Sequence, residues 1–140
     1  MQWSSFSRTV LSTSLLCLTQ FAFAEEPLID TSRIEAAISS LETSYGDVAS
    51  DIDCDTDNLI SHRLICQSTD ELALMVRLDQ MATVYAYENA LGRELNHAKP
   101  PIDEAFVSIR DACNDTQCLR NALITHTNDA LGGESPYLGD

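Results

Sequence analysis

Four cysteines constrain this chain more than anything else in it. Cys54 and Cys66 bracket eleven residues, Cys113 and Cys118 bracket four, and helical patterns lead into and out of both pairs. A fifth cysteine, Cys17, lies in a segment that reads as removable. Met1 to Arg8 is a short positively charged lead, Val10 to Phe23 is mostly apolar, and Ala22-Phe23-Ala24 puts small residues where a signal peptidase reads them. The apolar run is short for a membrane span, and no stop-transfer charges follow it. A lipid-anchored Cys17 would need a small residue directly before it, and Leu16 stands there. Cleavage near Ala24 therefore predicts a periplasmic or secreted chain of 116 residues, Glu25 to Asp140, with an even set of four cysteines. In an oxidising compartment such a set reads as a disulfide framework.

Four cysteines allow three connectivities, and sequence alone leaves them open. The local solution, Cys54–Cys66 with Cys113–Cys118, closes two loops at helix ends and demands no particular long-range packing. It is the expected one. Neither Cys-x11-Cys nor Cys-x4-Cys has the tight spacing of a zinc knuckle, so no metal is expected there. Asp51, Asp53, Asp55 and Asp57 alternate like the start of a calcium loop. Counted from Asp51, the sixth and twelfth positions are Thr56 and His62; counted from Asp53, they are Asn58 and Leu64. A calcium loop needs glycine and a bidentate glutamate at those positions, so both registers fail.

The rest of the chain is patterned for helices. Ser32-x-x-Glu35 has capping-box form, followed by Ile34, Ile38, Leu41 and Tyr45 on one face and Gly46 as terminator. Leu59, Ile60, Leu64 and Ile65 predict one or two helical turns inside the first cysteine loop, with their apolar side packed inward. Ser68-x-x-Glu71 opens the longest segment, whose apolar belt (Leu74, Leu78, Met81, Val84, Tyr85, Tyr87, Leu91, Leu95) is wide enough to contact helices on both sides. Asn96 to Pro101 ends it, and Pro101 suits the first position of a helix carrying Ile102, Ala105, Phe106 and Ile109 as an inward stripe. Asp115 or Thr116 caps a last helix through Leu131, closed by Gly132-Gly133, with a frayed tail over 133–140. No β-alternation of useful length occurs. The predicted fold is all-α: one domain over 25–140, a small disulfide-stapled bundle of about four helices.

The formal net charge is −14 and becomes −15 once Arg8, the only charge in the leader, is removed. Nucleic acid and anionic membrane surfaces are therefore poor partners, and a cationic protein is a good one. The sequence offers no Gly-x-Ser-x-Gly, no His-Glu-x-x-His and no glycine-rich phosphate loop, so no enzyme and no cofactor are expected. His62, His97 and His126 each read as solvated histidines on polar faces. Asp103 and Glu104 read as acids favoured at a helix start.

Taken together, Asp53-Cys54, Ile65-Cys66, a helix with Leu78-Asp79 and a nearby tyrosine, Arg110-Asp111-Ala112-Cys113 and Cys118-Leu119 resemble the LprI-type lysozyme-inhibitor family. The resemblance spans about residues 53–131. His62 stands where a glutamate is usual, Phe106 replaces a tryptophan, and Leu123 and His126 replace a tyrosine and an arginine. The resemblance implies an exported helical domain and, for part of the family, inhibition of lysozyme. A lysozyme cleft carries catalytic carboxylates, so a blocking loop should bring donors. His62 and Arg63 on the pinned loop would supply them, with Asp55 and Asp57 meeting basic residues at the rim. The alternative is an immunity-like or envelope-associated interaction module with another partner.

Overall fold

The computed structural model describes residues 29–45, 47–56, 58–68, 70–133 and 135–137. The expected leader, Gly46 and Asp57 lie outside these residues. The described elements are all helical: α1 (Thr31–Tyr45), α2 (Ile60–Gln67), α3 (Glu71–Leu91), α4 (Glu104–Asp111) and α5 (Thr116–Ala130). Both local disulfides form, with Cα atoms 5.7 Å apart for Cys54–Cys66 and 5.5 Å for Cys113–Cys118. One pins the loop after α1 to the end of α2, and the other closes the turn from α4 into α5.

Helix α3 is the axis of the bundle. It packs chiefly against α1 on one side and α5 on the other, with α2 and α4 completing the sides. Leu72, Met75, Val76, Leu78, Met81 and Val84 are buried, whereas Leu74, Tyr85 and Tyr87 of the expected belt are half-buried and Leu91 is exposed. Ile34 and Ile38 from α1, Ile65 from α2, Phe106 from α4, and Leu119 and Leu123 from α5 meet them in one core.

Several helix ends differ from expectation, each for a local reason. Asp30 rather than Ser32 caps α1, because its Oδ1 accepts from the Ser32 N–H at 3.0 Å and the Ser32 hydroxyl at 2.6 Å. Ser68 does serve α3, but by accepting from the Leu72 N–H at 3.1 Å. That helix ends at Leu91 instead of running to Leu95. Gly92 takes the left-handed conformation there (φ 64°) and returns its N–H to the Glu88 carbonyl. Pro101 is not the first residue of α4. Asp103 is its N-cap, accepting from the Phe106 N–H at 3.0 Å, and the helix begins at Glu104. Asp115 caps α5 through the Cys118 N–H at 2.8 Å, and Gly132 and Gly133 close it with positive φ.

Three further expectations are corrected. Leu59 and Ile60 do not pack inward but are exposed, while Ile65 is buried and Leu64 half-buried. The stripe of α4 is split: Phe106 turns inward with Arg110 and Cys113, while Ile102, Ala105 and Ile109 face out. The tail does not fray as far as it is described. Tyr137 is fully buried, its hydroxyl lies 2.7 Å from Thr127 Oγ1, and its carbonyl accepts from the Asp30 N–H at 3.2 Å. The chain thus folds back from the glycine pair and joins the start of α1. Burial pushes the Tyr137 phenol pKa up, against the opposing bond from Thr127.

Candidate functional site

The pinned loop and its neighbours form the first polar cluster. Arg110, buried on the inner face of α4, forks onto Asp51, with contacts of 3.1 Å and 2.9 Å to the two carboxylate oxygens. Its Nε donates to Asp111 Oδ1 at 2.9 Å. Gln80 of α3 also donates to Asp51, at 2.8 Å. Burial works against both charges of this pair. The direct bonds outweigh it, so the Asp51 pKa is lowered and the Arg110 pKa raised. A planar guanidinium suits this duty, because its rigid fork satisfies two carboxylates at once.

His62 belongs to this cluster and not to the surface. It is 5% exposed, its Nε2 lies 2.8 Å from Asp111 Oδ1, and Ser61 Oγ reaches the Asp111 carbonyl at 3.4 Å. His62 therefore ties α2 to α4, and Arg63, one residue on, points outward. Asp55 is exposed on a turn built by Asp53, whose carboxylate accepts from the Asp55 N–H at 3.0 Å and the Thr56 hydroxyl at 2.8 Å. Of the residues expected to face a partner, Arg63 and Asp55 are accessible, His62 is not, and Asp57 lies outside the described residues.

The second cluster centres on Asp79, a buried acid of α3. Its carboxylate accepts from Thr127 Oγ1 at 2.8 Å and faces His126 Nδ1 at 2.8 and 3.1 Å. The other ring nitrogen, Nε2, lies 3.5 Å from Asp103 Oδ2. The imidazole stacks on Phe106 with ring centres 3.8 Å apart, and the Arg110 guanidinium lies 5.9 Å from the Phe106 ring centre. Burial disfavours the charged imidazole, but the carboxylates of Asp79 and Asp103 more than offset it and raise the pKa above its ordinary 6.5. The two carboxylates favour the protonated imidazole, with Nδ1 at hydrogen-bond distance from Asp79 and Nε2 in a longer contact with Asp103. The hydroxyl of Thr127 bonds to Asp79 and not to the imidazole.

His97 completes the set. Its Nε2 lies 2.8 Å from Glu88 Oε1, which also accepts from the Leu95 N–H at 2.8 Å. Burial opposes the Glu88 charge, but these two bonds outweigh it and lower its pKa. None of the three histidines is the solvated side chain expected from sequence. Each binds a carboxylate from another segment.

Two hollows border the Asp79 cluster. A small one of about 40 Å³ lies between the clusters, walled by Asp51, Asp79, Phe106, Arg110 and His126 among others. A larger groove of about 390 Å³ runs between α3 and α5, lined by Thr83, Ala86, Tyr87, Ala90, Asp103, His126, Asp129 and Ala130. No family model matches the chain, and no curated protein or solved structure is significantly similar to it.

Asp79 and Arg110 are the key residues that periodicity alone passed over as functional positions. A signal was present. Asp79 stands four residues after Met75 and three before Ala82, both buried. Arg110 stands four after Phe106 and three before Cys113, also both buried. A charge on an apolar stripe requires a buried partner. Which partner is used depends on tertiary packing.

Proposed function

We propose that this chain is an exported binding protein that acts by contact with a cationic protein, a wall-degrading lysozyme being the partner to test first. The observation that carries the reading is the exposure of large apolar side chains on α2 and α4. Ile60 is 44% and Ile109 61% exposed, and Leu59 is exposed beside them. Ile60 and Ile109 lie on two helices that the Ser61–Asp111 hydrogen bond ties together. Arg63 shares the exposed side of α2 with Ile60. Apolar anchors with an arginine beside them, on a protein of net charge −14, suit a basic partner surface.

The cysteine framework and its flanking Arg-Asp and Leu-Asp pairs, which resemble those of lysozyme inhibitors, support the same reading. These pairs are occupied in holding the fold: Arg110 and Asp111 anchor α2 and the Asp51 loop, and Asp79 anchors α5. That leaves the exposed face for recognition. The test is digestion of purified cell walls by a cationic lysozyme at physiological salt. Dose-dependent slowing by the oxidised protein is the expected result. Slowing that appears only at very low salt would reduce the effect to non-specific attraction and overturn the proposal.

A further inference from the structure

We propose that the groove between α3 and α5 is a binding site for an organic cation, an ammonium or guanidinium group, held by Asp103 and Asp129 beside Tyr87. Ala86, Ala90, Thr83 and Ala130 keep the facing surfaces of the two helices small, which opens about 390 Å³ there. That volume is within the range of small-ligand sites. No lysine or arginine is among the described residues that line it. The one basic lining group, His126, already has its Nδ1 engaged by Asp79 on the buried side.

Asp103 is held ready to accept a charge. Its Oδ1 is taken by the Phe106 N–H at 3.0 Å, which fixes the carboxylate on the cap of α4. Its Oδ2 lies 3.5 Å from His126 Nε2, a long contact that leaves capacity for a closer donor. The Phe106 N–H first, and His126 after it, lower the Asp103 pKa against burial, so the acceptor stays ionised. Asp129 is an exposed acid on the groove wall and makes no ion pair among the described residues. Tyr87 adds an aromatic surface of the kind that attracts ammonium and guanidinium groups. A bound anion would meet the carboxylates of Asp103 and Asp129 against the single imidazole of His126, so the charge of the lining favours a cation.

The site stands apart from the α2–α4 face, and its test does not depend on any lysozyme. The oxidised protein is titrated with butylguanidinium and butylammonium chloride, with sodium chloride at equal ionic strength as control, while the ring resonances of His126 and Tyr87 are followed by NMR. Saturable shifts at both rings with the organic cations, absent with sodium chloride, are expected. Asp129→Asn should weaken binding about tenfold, in line with loss of a charged hydrogen bond. Asp103→Asn should do the same while keeping a competent helix cap. A stronger response to N-acetyl-arginine amide than to spermidine would assign the groove to a partner's side chain, and the reverse to a free polyamine. Shifts that rise linearly and match sodium chloride, or unchanged affinity in both variants, would overturn the proposal, even if lysozyme were inhibited.

Discussion

Replacing Asp79 by alanine tests whether one buried acid joins α3, α5 and the tail. The carboxylate is 4% exposed and has two partners, His126 at 2.8 Å and Thr127 at 2.8 Å. Thr127 in turn pairs with Tyr137 at 2.7 Å. Removing one member of a buried ion pair costs about 3–5 kcal/mol, because the other is left charged and unpaired. A domain of this size is stable by only about 5–15 kcal/mol, so the loss is a large share. Asp79→Asn keeps an acceptor for Thr127 and loses the charge opposite His126, which should cost roughly 1.5–3 kcal/mol. Urea unfolding followed by far-UV circular dichroism, at neutral pH with disulfides intact, reads both values from the midpoint at constant slope. An Asp79→Ala variant within about 0.5 kcal/mol of the parent, the range of ordinary surface changes, would refute the reasoning.

Three other outcomes follow from the same contacts. His126 has a folded-state pKa above its ordinary 6.5, with Asp79 and Asp103 as the facing groups. Its contribution to stability is therefore complete below about pH 6.5 and is lost as pH rises through the folded value; His126→Gln should flatten that stretch of a stability–pH profile, and an unchanged slope would contradict this. Arg110→Lys keeps the charge and loses the fork onto Asp51 and Asp111, so it should cost roughly 1.5–3 kcal/mol and speed amide exchange around Asp51; wild-type protection there would count against the staple. Tyr137→Ala should destabilise by about 3–5 kcal/mol, as for a large core aromatic, whereas a frayed tail would tolerate it freely in a melting experiment.

Much of the scaffold was legible because it is written in local patterns. The middle of the α3 belt (Leu78, Met81 and Val84), the Asp115 cap, the glycine pair after α5 and the two short cysteine loops all depend on residues close in sequence, and each reads correctly. The errors fall where tertiary partners decide. Whether His62 and His126 are solvated depends on Asp111 and Asp79, which lie 49 and 47 residues away. The inward stripe of α4 was misread because its buried position is Arg110, a residue that periodicity assigns to solvent until Asp51 and Asp111 are placed around it. Tyr137 was misread because its burial depends on the chain turning back at Gly132 and Gly133 to reach Thr127. Of the residues expected to face a partner, Arg63 and Asp55 are exposed as a polar loop surface should be. The exposure of Ile60 and Ile109 became visible only with the helices packed.

The central claim is that recognition runs through the outer face of α2 and α4, while the buried charges hold the bundle. Titration calorimetry of the oxidised protein against a cationic lysozyme at physiological salt tests it most directly, with an Ile60→Ser, Ile109→Ser variant alongside. The account predicts saturable binding that the variant weakens by about tenfold or more, near 1.4 kcal/mol, with its circular dichroism unchanged. No binding by the parent protein, or equal affinity in the two, would contradict it.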